Sequence, residues 1–317
     1  MKIAFLLYPT DKLRVDEDSS FWIMHELIRR GHQVYHFESR DLFCVNGQAQ
    51  AIVKRTKVDP RLGFLHTKPI PTPVKLHDFQ AIFIRKEPPF NSDYLYTLQI
   101  LELLKENVFV LNDPSGIAMA NEKLFICQFP GVIPETLVSE DPSRVRAFIK
   151  DVGGKAVIKP LDNKGGIGIV SVQYSDPSLP SLIDIMTQGS VKKVMVQRFL
   201  MAPKLSDKRI LLLNGEVLGV FARKPSRSDF RSNLGLGGTM HRASIGRQDQ
   251  KIVDALYPEL LRRGLYFVGV DVMDRYLTEI NVTSPSGIPE LNTLYKIKAQ
   301  EKVADFIEEK LGSRRAR

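Results

Sequence analysis

The run Lys159-Pro160-Leu161-Asp162-Asn163-Lys164-Gly165-Gly166-Ile167-Gly168 constrains this chain more than any other stretch, because of what flanks it. Strand-like segments precede it (residues 156–159) and follow it (169–173), whereas a dinucleotide-binding fingerprint or a Walker loop needs its glycines to open a helix. Both of those nucleotide folds are therefore excluded. A glycine loop between two strands still lets backbone N–H groups close over phosphates, with Lys159 at the strand end holding a charge toward them. The bland alternative is a flexible hairpin tip with a solvated Lys164.

Upstream of this loop, strand and helix signals alternate as in a parallel sheet with crossover helices. Residues 3–7 read as a buried strand, 21–30 as a helix capped by Ser19 and Ser20 and stopped at Gly31, and 34–37 as a second strand. Asn46-Gly47 predicts a hairpin between residues 41–45 and 48–53. The Pro-rich residues 56–78 read as a mobile loop, and strands over 81–84 and 108–111 flank a helix near 93–105. Residues 133–136 must be extended and mark a boundary. A helix over 142–150 started by Asp141, a helix after Pro180 and a strand over 193–198 complete a second unit. The third is antiparallel: Asn214-Gly215 joins strands 209–213 and 216–223. Residues 224–246, glycine-rich and aperiodic, have the character of an active-site lid. A helix over 248–263, strands over 266–273 and 276–282, and a final helix to 311 end the chain.

With 317 residues, 43% of them hydrophobic and 26% charged, the chain can bury more than one core and is not disordered. No window approaches the roughly 18 apolar residues of a membrane span, and the short apolar opening lacks a cleavage site. Cys44 and Cys127 offer neither zinc spacing nor a disulfide framework, which fits a reducing compartment and places the protein in the cytoplasm. The net charge of +9 is spread thinly apart from the Arg314, Arg315 and Arg317 tail, so nucleic acid is not the expected partner and small phosphorylated or carboxylated ligands are. No nucleophile stands out: Ser284 lacks an elbow, the two cysteines lie in apolar sequence and the six histidines form no ligand spacing.

A second constellation comprises Asp271, Glu279 and Asn281. With a three-residue turn at Asp274-Arg275-Tyr276, Asp271 lies opposite Glu279 and Asn281 is two along on the same face. Facing carboxylates destabilise a sheet unless something positive joins them, and an oxygen-only donor set with room for phosphate suits Mg²⁺ bound through a nucleotide. The third group is cationic: Arg85, Lys86, Lys123, Arg209 and Arg223. A two-residue turn pairs Arg209 with Val220 and leaves Arg223 three residues on, so that both reach one cleft, where arginine suits carboxylate and phosphate.

Taken together these strings resemble the bacterial glutathione synthetases of the ATP-grasp superfamily. The resemblance rests on Asp18-Ser19-Ser20, Arg85-Lys86-Glu87-Pro88-Pro89-Phe90, Asn121-Glu122-Lys123-Leu124, Lys159-Pro160-Leu161-Asp162 with Gly165-Gly166, Asp207-Lys208-Arg209, Arg231-Ser232-Asn233-Leu234 with Gly237-Gly238, and Phe267-Val268-Gly269-Val270-Asp271 leading to Leu277-Thr278-Glu279-Ile280-Asn281-Val282-Thr283-Ser284-Pro285. It implies an α/β (α+β) ATP-grasp fold: an N-terminal parallel α/β substrate domain (1–120), a central lid subdomain (121–200) and a C-terminal subdomain with the metal site and a mobile loop 224–242 (201–317), the last two built on antiparallel sheets.

The resemblance further implies ligation of γ-glutamylcysteine to glycine through an acyl phosphate, using ATP with Mg²⁺ or Mn²⁺, in a homo-oligomer such as a dimer or tetramer. Asp271, Glu279 and Asn281 would hold the metal. Lys123, Lys159, Lys164, Gly165, Gly166 and Gly168 would hold the phosphates, with Val196, Gln197 and Phe199 near adenine and Asp207 beside the nucleotide. Arg209, Lys159, Arg223 and Gly238 would serve the chemical steps, and Ser19, Arg85, Arg223, Asn233, Thr283 and Ser284 the substrates. The sequence departs from the family at Ser286-Gly287-Ile288-Pro289-Glu290 and in the lid at Ser226-Arg227-Ser228-Asp229-Phe230. An ATP-grasp ligase with another peptide or amino-acid substrate, a silent nucleotide-binding module and a nucleic-acid binder are the rival expectations.

Overall fold

The structure, a computed structural model, describes residues 1–15, 17–64, 67–201, 207–226 and 237–315. Its first sheet is seeded by the apolar run of β1 (Lys2–Leu7), whose last five residues are buried. β1 lies in the middle, parallel to β2 (Gln33–Glu38) and, on its other side, to β9 (Ala81–Arg85), with β10 (Phe109–Leu111) parallel beyond β9. Between these strands, β3 (Leu42–Val45) and β4 (Gln48–Ala51) form the hairpin expected at Asn46-Gly47, both in the left-handed region at φ 49° and 79°. β5 (Lys54–Arg55) adds an antiparallel edge to β2.

Residues 56–78 are not the irregular loop expected from their prolines. β6 (Val58–Asp59) pairs with β7 (Gly63–Phe64), and β8 (Val74–Lys75) extends the hairpin sheet next to the fully buried Leu76. Residues 65 and 66 lie outside the described set. Helix α1 (Ser19–Arg29) is capped by the carboxylate of Asp18, which accepts from Phe21 N at 3.0 Å, and not by Ser19 or Ser20 as expected. A carboxylate at the cap leaves both serine hydroxyls for other partners. Helices α2 (Ser92–Glu102) and α3 (Pro114–Ala118) follow β9 and β10.

The second sheet is antiparallel throughout, in the order β11 (Thr136–Ser139), β14 (Val194–Arg198), β12 (Lys155–Pro160), β13 (Val170–Gln173). Helices α4 (Pro142–Asp151) and α5 (Leu179–Thr187) cover one face and enclose a small core with Ala156, Ile158, Val172, Val194 and Val196. The third sheet, also antiparallel, runs β17 (Thr239–Arg242), β16 (Glu216–Lys224), β15 (Asp207–Leu213), β18 (Phe267–Met273), β19 (Tyr276–Asn281). It is covered by α6 (Arg247–Arg262), α7 (Ile288–Tyr295) and α8 (Ala299–Arg315). Apolar side chains of the first and third sheets share continuous cores, and Met195 joins one of them from the second sheet. Cys44 and Cys127 are exposed, not set in apolar surroundings as the sequence suggested. Among the described residues no helix is long and apolar enough to cross a membrane.

Candidate active site

The charged face of the third sheet depends on two bulges. A regular hairpin would pair Arg209 with Val220, as expected from the two-residue turn at Asn214-Gly215. Instead Leu212 pairs with Val217 and Leu211 with Gly219, so Leu218 is an extra residue and Arg209 comes opposite Phe221. Arg223, two further along, then shares the face of Arg209 and lies directly opposite Asp207. On the other flank Met273 pairs with Tyr276 across a two-residue turn with Asp274 at φ 58°, shorter than the expected three-residue turn. Here the extra residue is Thr278, whose hydroxyl donates to Asp271 O at 3.1 Å. Asp271 still arrives opposite Glu279, and Asn281 opposite Gly269.

Each acid on this face meets a base. Arg209 donates to both oxygens of Asp271, Nε to Oδ1 at 2.5 Å and Nη2 to Oδ2 at 2.9 Å. Its Nη1 reaches Ser286 O at 3.3 Å. Arg223 Nη2 lies 2.7 Å from Asp207 Oδ1 and 3.3 Å from Asp271 Oδ1. Burial pushes the Asp271 carboxyl up, but the two guanidinium groups outweigh it and hold the pKa at about 2. Asp207 moves the other way, raised by burial and by the charge of Asp271 despite Arg223.

Lys123 connects this face to the glycine loop. Its ammonium donates to Asn163 O at 2.6 Å and to Glu279 Oε1 at 3.1 Å. The neighbouring Asn121 side chain holds Leu161 O at 3.0 Å. The loop stands between β12 and β13 as expected, and Gly165, Gly166 and Gly168 adopt φ of 63°, 78° and 75°, conformations that favour glycine. Lys164 is ion-paired with Glu87. The ammonium of Lys159, near the end of β12, makes no hydrogen bond or ion pair among the described residues. Loss of hydration lowers its pKa, with Glu279 acting the other way.

The donor set fits a hard divalent cation. Among the described residues Glu279 Oε2 and Asn281 Oδ1 have no partner, since Lys123 takes Oε1 and Asn281 Nδ2 donates to Gly269 O at 3.2 Å. No group of three or more His, Cys, Asp or Glu among the described residues gathers as a metal cluster, so phosphate and water oxygens would complete the shell.

The remaining expected residues fall into two groups. Gln197 faces the cleft side of β14 and donates to Thr136 Oγ1 at 3.0 Å, and Phe199 carries Lys155 Nζ 3.8 Å from its ring centre. Val196 is turned away, fully buried with Ile158 in the small core, because strand side chains alternate. The inner position of β14 also commits its backbone to β11 and β12, and Phe199 N still donates to Lys155 O. On the other side, Ser19 Oγ accepts from Gly287 N and Ile288 N, both at 3.1 Å. Arg85 is 1% exposed, stacked on Phe83 and Phe267, and donates to Ser20 Oγ and Pro285 O at 2.8 and 2.9 Å. Burial lowers its pKa to about 10, and Nη1 is buried without a partner. Thr283 Oγ1 donates to Glu122, whereas Ser284 is half-exposed and keeps its hydroxyl free among the described residues. Gly238 is half-exposed just before β17, whose Met240 pairs with Arg223. Asn233 lies outside the described residues, as do residues 227–236 of the expected lid.

Two contributors received no role from the reading of the sequence, although Glu122 stands inside the Asn121-Glu122-Lys123-Leu124 string. Glu122 Oε1 accepts from Val282 N, Thr283 N and Thr283 Oγ1, and Asn112 bridges Phe267 and Val282 with its side-chain amide. Both act across more than 150 positions of chain, so no local pattern announces them; a polar residue at the C-terminal end of a buried strand is the one signal Asn112 offers.

Comparison with known proteins agrees with this geometry. Residues 1–118 match the N-terminal domain of prokaryotic glutathione synthetase, and residues 122–296 match its ATP-grasp domain. The chain is 40% identical to the glutathione synthetase of Synechocystis sp., over 97% of this chain and 99% of that one. It is 37% identical to the glutathione synthetase of Shewanella oneidensis, over 98% and 99%. Among solved structures, D-cycloserine synthetase DcsG superposes with a TM-score of 0.66 at 13% identity over 97% of this chain and all of that one. The ATP-grasp ligase PsnB with its minimal precursor gives 0.64 at 16% identity over 97% of both. At such identities these two show the ATP-grasp fold alone. The chain belongs to the prokaryotic glutathione synthetase family and is an ATP-dependent ligase of that family.

Proposed function

We propose that this chain joins γ-glutamylcysteine to glycine at the face where the second and third sheets meet. The observation that carries the residue-level reading is the paired ladder Asp207–Arg223, Asp271–Arg209 and Glu279–Lys123 beside the glycine loop and the unpaired Lys159. Lys123, Lys159 and the loop of Lys164, Gly165, Gly166 and Gly168 hold the phosphates of ATP, and Gln197 and Phe199 lie toward the base. Glu279, Asn281 and Asp271 would hold Mg²⁺, or Mn²⁺ in its place, and a cation there would neutralise charge on the phosphates of the nucleotide.

In the first step an oxygen of the cysteinyl carboxylate attacks the γ-phosphorus. One P–O bond forms, the bridging P–O bond to ADP breaks, and the peptide becomes an acyl phosphate. In the second, the amine of glycine attacks the acyl carbon, the C–N bond forms, the C–O bond to phosphate breaks, and the proton lost by the amine leaves with the phosphate. Arg209 and Arg223, held in place by Asp271 and Asp207, present fixed positive charge to the transferring phosphoryl group and to the tetrahedral oxyanion. Arg85 Nη1, Ser284 and the Ser19 to Gly287 contact serve the dipeptide end. Gly238 lies just before β17, beside the strand that carries Arg223, where water must be kept out because it would hydrolyse the acyl phosphate.

The test is ATP-dependent phosphate release with Mg²⁺, omitting γ-glutamylcysteine and glycine in turn and repeating with Glu279→Gln. Turnover should need every component and fall about 100-fold or more in the variant. Turnover with another peptide or amine alone would overturn the substrates, and full activity in Glu279→Gln would overturn the metal assignment.

A further inference from the structure

The third residue of an α-helix is where a glutamate ordinarily turns back to accept the N–H of the capping residue. Glu290 holds that place in α7, yet the N–H groups of Gly287 and Ile288 both donate to Ser19 Oγ at 3.1 Å. A serine from α1 has taken over the capping contact, and the Glu290 carboxylate is released from it. The residue is 7% exposed, and its Oε2 is buried with no hydrogen-bond partner among the described residues.

Its surroundings belong to the active face. Burial raises the Glu290 pKa, and Arg209, Glu17 and Arg223 all lie near enough to act on its charge. Neither arginine is ion-paired with it among the described residues: Arg209 is occupied by Asp271 and Ser286 O, and Arg223 by Asp207 and Asp271. The other acids of the site already have partners, Asp207 with Arg223, Asp271 with Arg209, Glu279 with Lys123, and Glu122 with Val282 and Thr283. A carboxylate oxygen enclosed without a donor is costly unless a donor arrives with the ligand.

We propose that Glu290 is the residue that receives a substrate ammonium group in this site. The proposal deepens the ligation reading above and rests on it. Two substrates carry that chemistry: the α-ammonium of the γ-glutamyl residue, and the ammonium of glycine before it becomes the nucleophile. Both would supply N–H donors to Oε2, and both need a negative partner amid the arginines that hold carboxylates and phosphates.

The experiment compares the full chain with Glu290→Gln and Glu290→Asp in steady-state phosphate release, varying ATP, glycine and γ-glutamylcysteine separately, and replacing the dipeptide with glutarylcysteine, which lacks the α-ammonium. Wild-type turnover with the natural pair comes first; its failure would overturn the substrates and, with them, this assignment of Glu290. Given that turnover, Glu290→Gln should lower kcat/KM about tenfold or more for one ammonium-bearing substrate, with KM for ATP and the thermal midpoint unchanged. If the dipeptide is the source, wild type prefers it to glutarylcysteine and Glu290→Gln does not. If glycine is the source, KM for glycine rises and that preference survives. Glu290→Asp, which keeps the charge one methylene further back, should show a smaller change in the same parameter. Unchanged kinetics, or a parallel loss for all three substrates with a lowered midpoint, would overturn the proposal.

Discussion

Truncating Glu122 and replacing it by its amide should have opposite consequences. Glu122 is half-buried, and among the described residues a single oxygen, Oε1, accepts all three of its side-chain hydrogen bonds, from Val282 N at 3.0 Å, Thr283 N at 3.1 Å and Thr283 Oγ1 at 2.7 Å. Val282 is fully buried and Thr283 is 3% exposed, so Glu122→Ala strands two main-chain donors and a hydroxyl. Unmade bonds of that kind cost about 1–3 kcal/mol each; with partial water entry at the rim, about 2–4 kcal/mol in total is expected, a large share of a stability of about 5–15 kcal/mol. Glu122→Gln keeps Oε1 and all three contacts, and also removes a negative charge that burial and Glu279 disfavour. Its cost should lie within about 1 kcal/mol of zero, because weaker neutral bonds and relieved repulsion oppose each other.

The sign with pH follows from the raised carboxyl pKa. A folded-state pKa above the ordinary glutamate value of 4.5 means that protonated Glu122 favours the fold, that this contribution is complete below 4.5, and that it is lost as pH rises through the folded value. Glutamine mimics the protonated form, so Glu122→Gln should gain on wild type as pH rises from about 4.5 and then level off. Urea denaturation of the three proteins across that range measures it. Glutamine as damaging as alanine, or a glutamine variant that loses ground as pH rises, would refute the reasoning.

Three further outcomes follow from the same contacts. Lowering pH from about 4.5 to about 2 should reduce the urea midpoint, because Glu26, drawn down to about 2 by its hydrogen bond from Arg29 against the effect of burial, and Asp271, also at about 2, contribute stability that is complete above their unfolded values and lost as each is protonated; a flat midpoint there would contradict both assignments. Gly168→Ala places a Cβ 2.9 Å from Pro160 Cγ at a φ of 75°, and should raise KM for ATP several-fold while KM for γ-glutamylcysteine stays within about twofold; equal changes in both would show that the loop does not serve the nucleotide. Lys123→Met removes the ammonium that ties Asn163 O to Glu279, and should raise KM for ATP about tenfold with little change in KM for glycine, measured in the same assay.

Elements with local causes were legible in the sequence. The Asn46-Gly47 and Asn214-Gly215 turns formed where positive φ predicted them, and the glycine loop lies between two strands. The facing of Asp271 and Glu279 was also read correctly, but through the wrong turn: a three-residue loop and a two-residue loop followed by a bulge at Thr278 give the same parity. The bulge at Leu218 had no signature, since an extra residue inside Glu216-Val217-Leu218-Gly219-Val220 leaves the apolar pattern strand-like, and the predicted register was off by one. Residues 56–78 looked structureless because strands of two residues are too short for periodicity to register. Ser19 and Ser20 read as caps by residue type, yet the neighbouring Asp18 does that work; only the tertiary contacts to Gly287, Ile288 and Arg85 reveal what the serines hold.

The bulge at Leu218 decides more than register. Because side chains alternate along a strand, pairing Arg209 with Val220 would put Arg223 on the opposite face, leaving Asp207 and Asp271 to share one guanidinium. With the shift, three acids and three bases stand as partners: Asp207 with Arg223, Asp271 with Arg209, Glu279 with Lys123. Their charges cancel, so this ladder by itself attracts neither phosphate nor ammonium strongly; it fixes geometry and supplies oriented donors. Attraction falls to groups left out of it among the described residues: the ammonium of Lys159 beside the glycine loop, the guanidinium of Arg85, and the carboxylate of Glu290 at the start of α7. One cation beside a phosphate loop and one anion beside the substrate turn divide recognition between two ends of the site. Lys159→Met should therefore weaken ATP and spare glycine and the dipeptide, whereas Glu290→Gln should spare ATP and weaken the one ammonium-bearing substrate it receives. If each variant impaired both kinds of substrate equally, the two groups would be acting through the ladder and not on separate ligands.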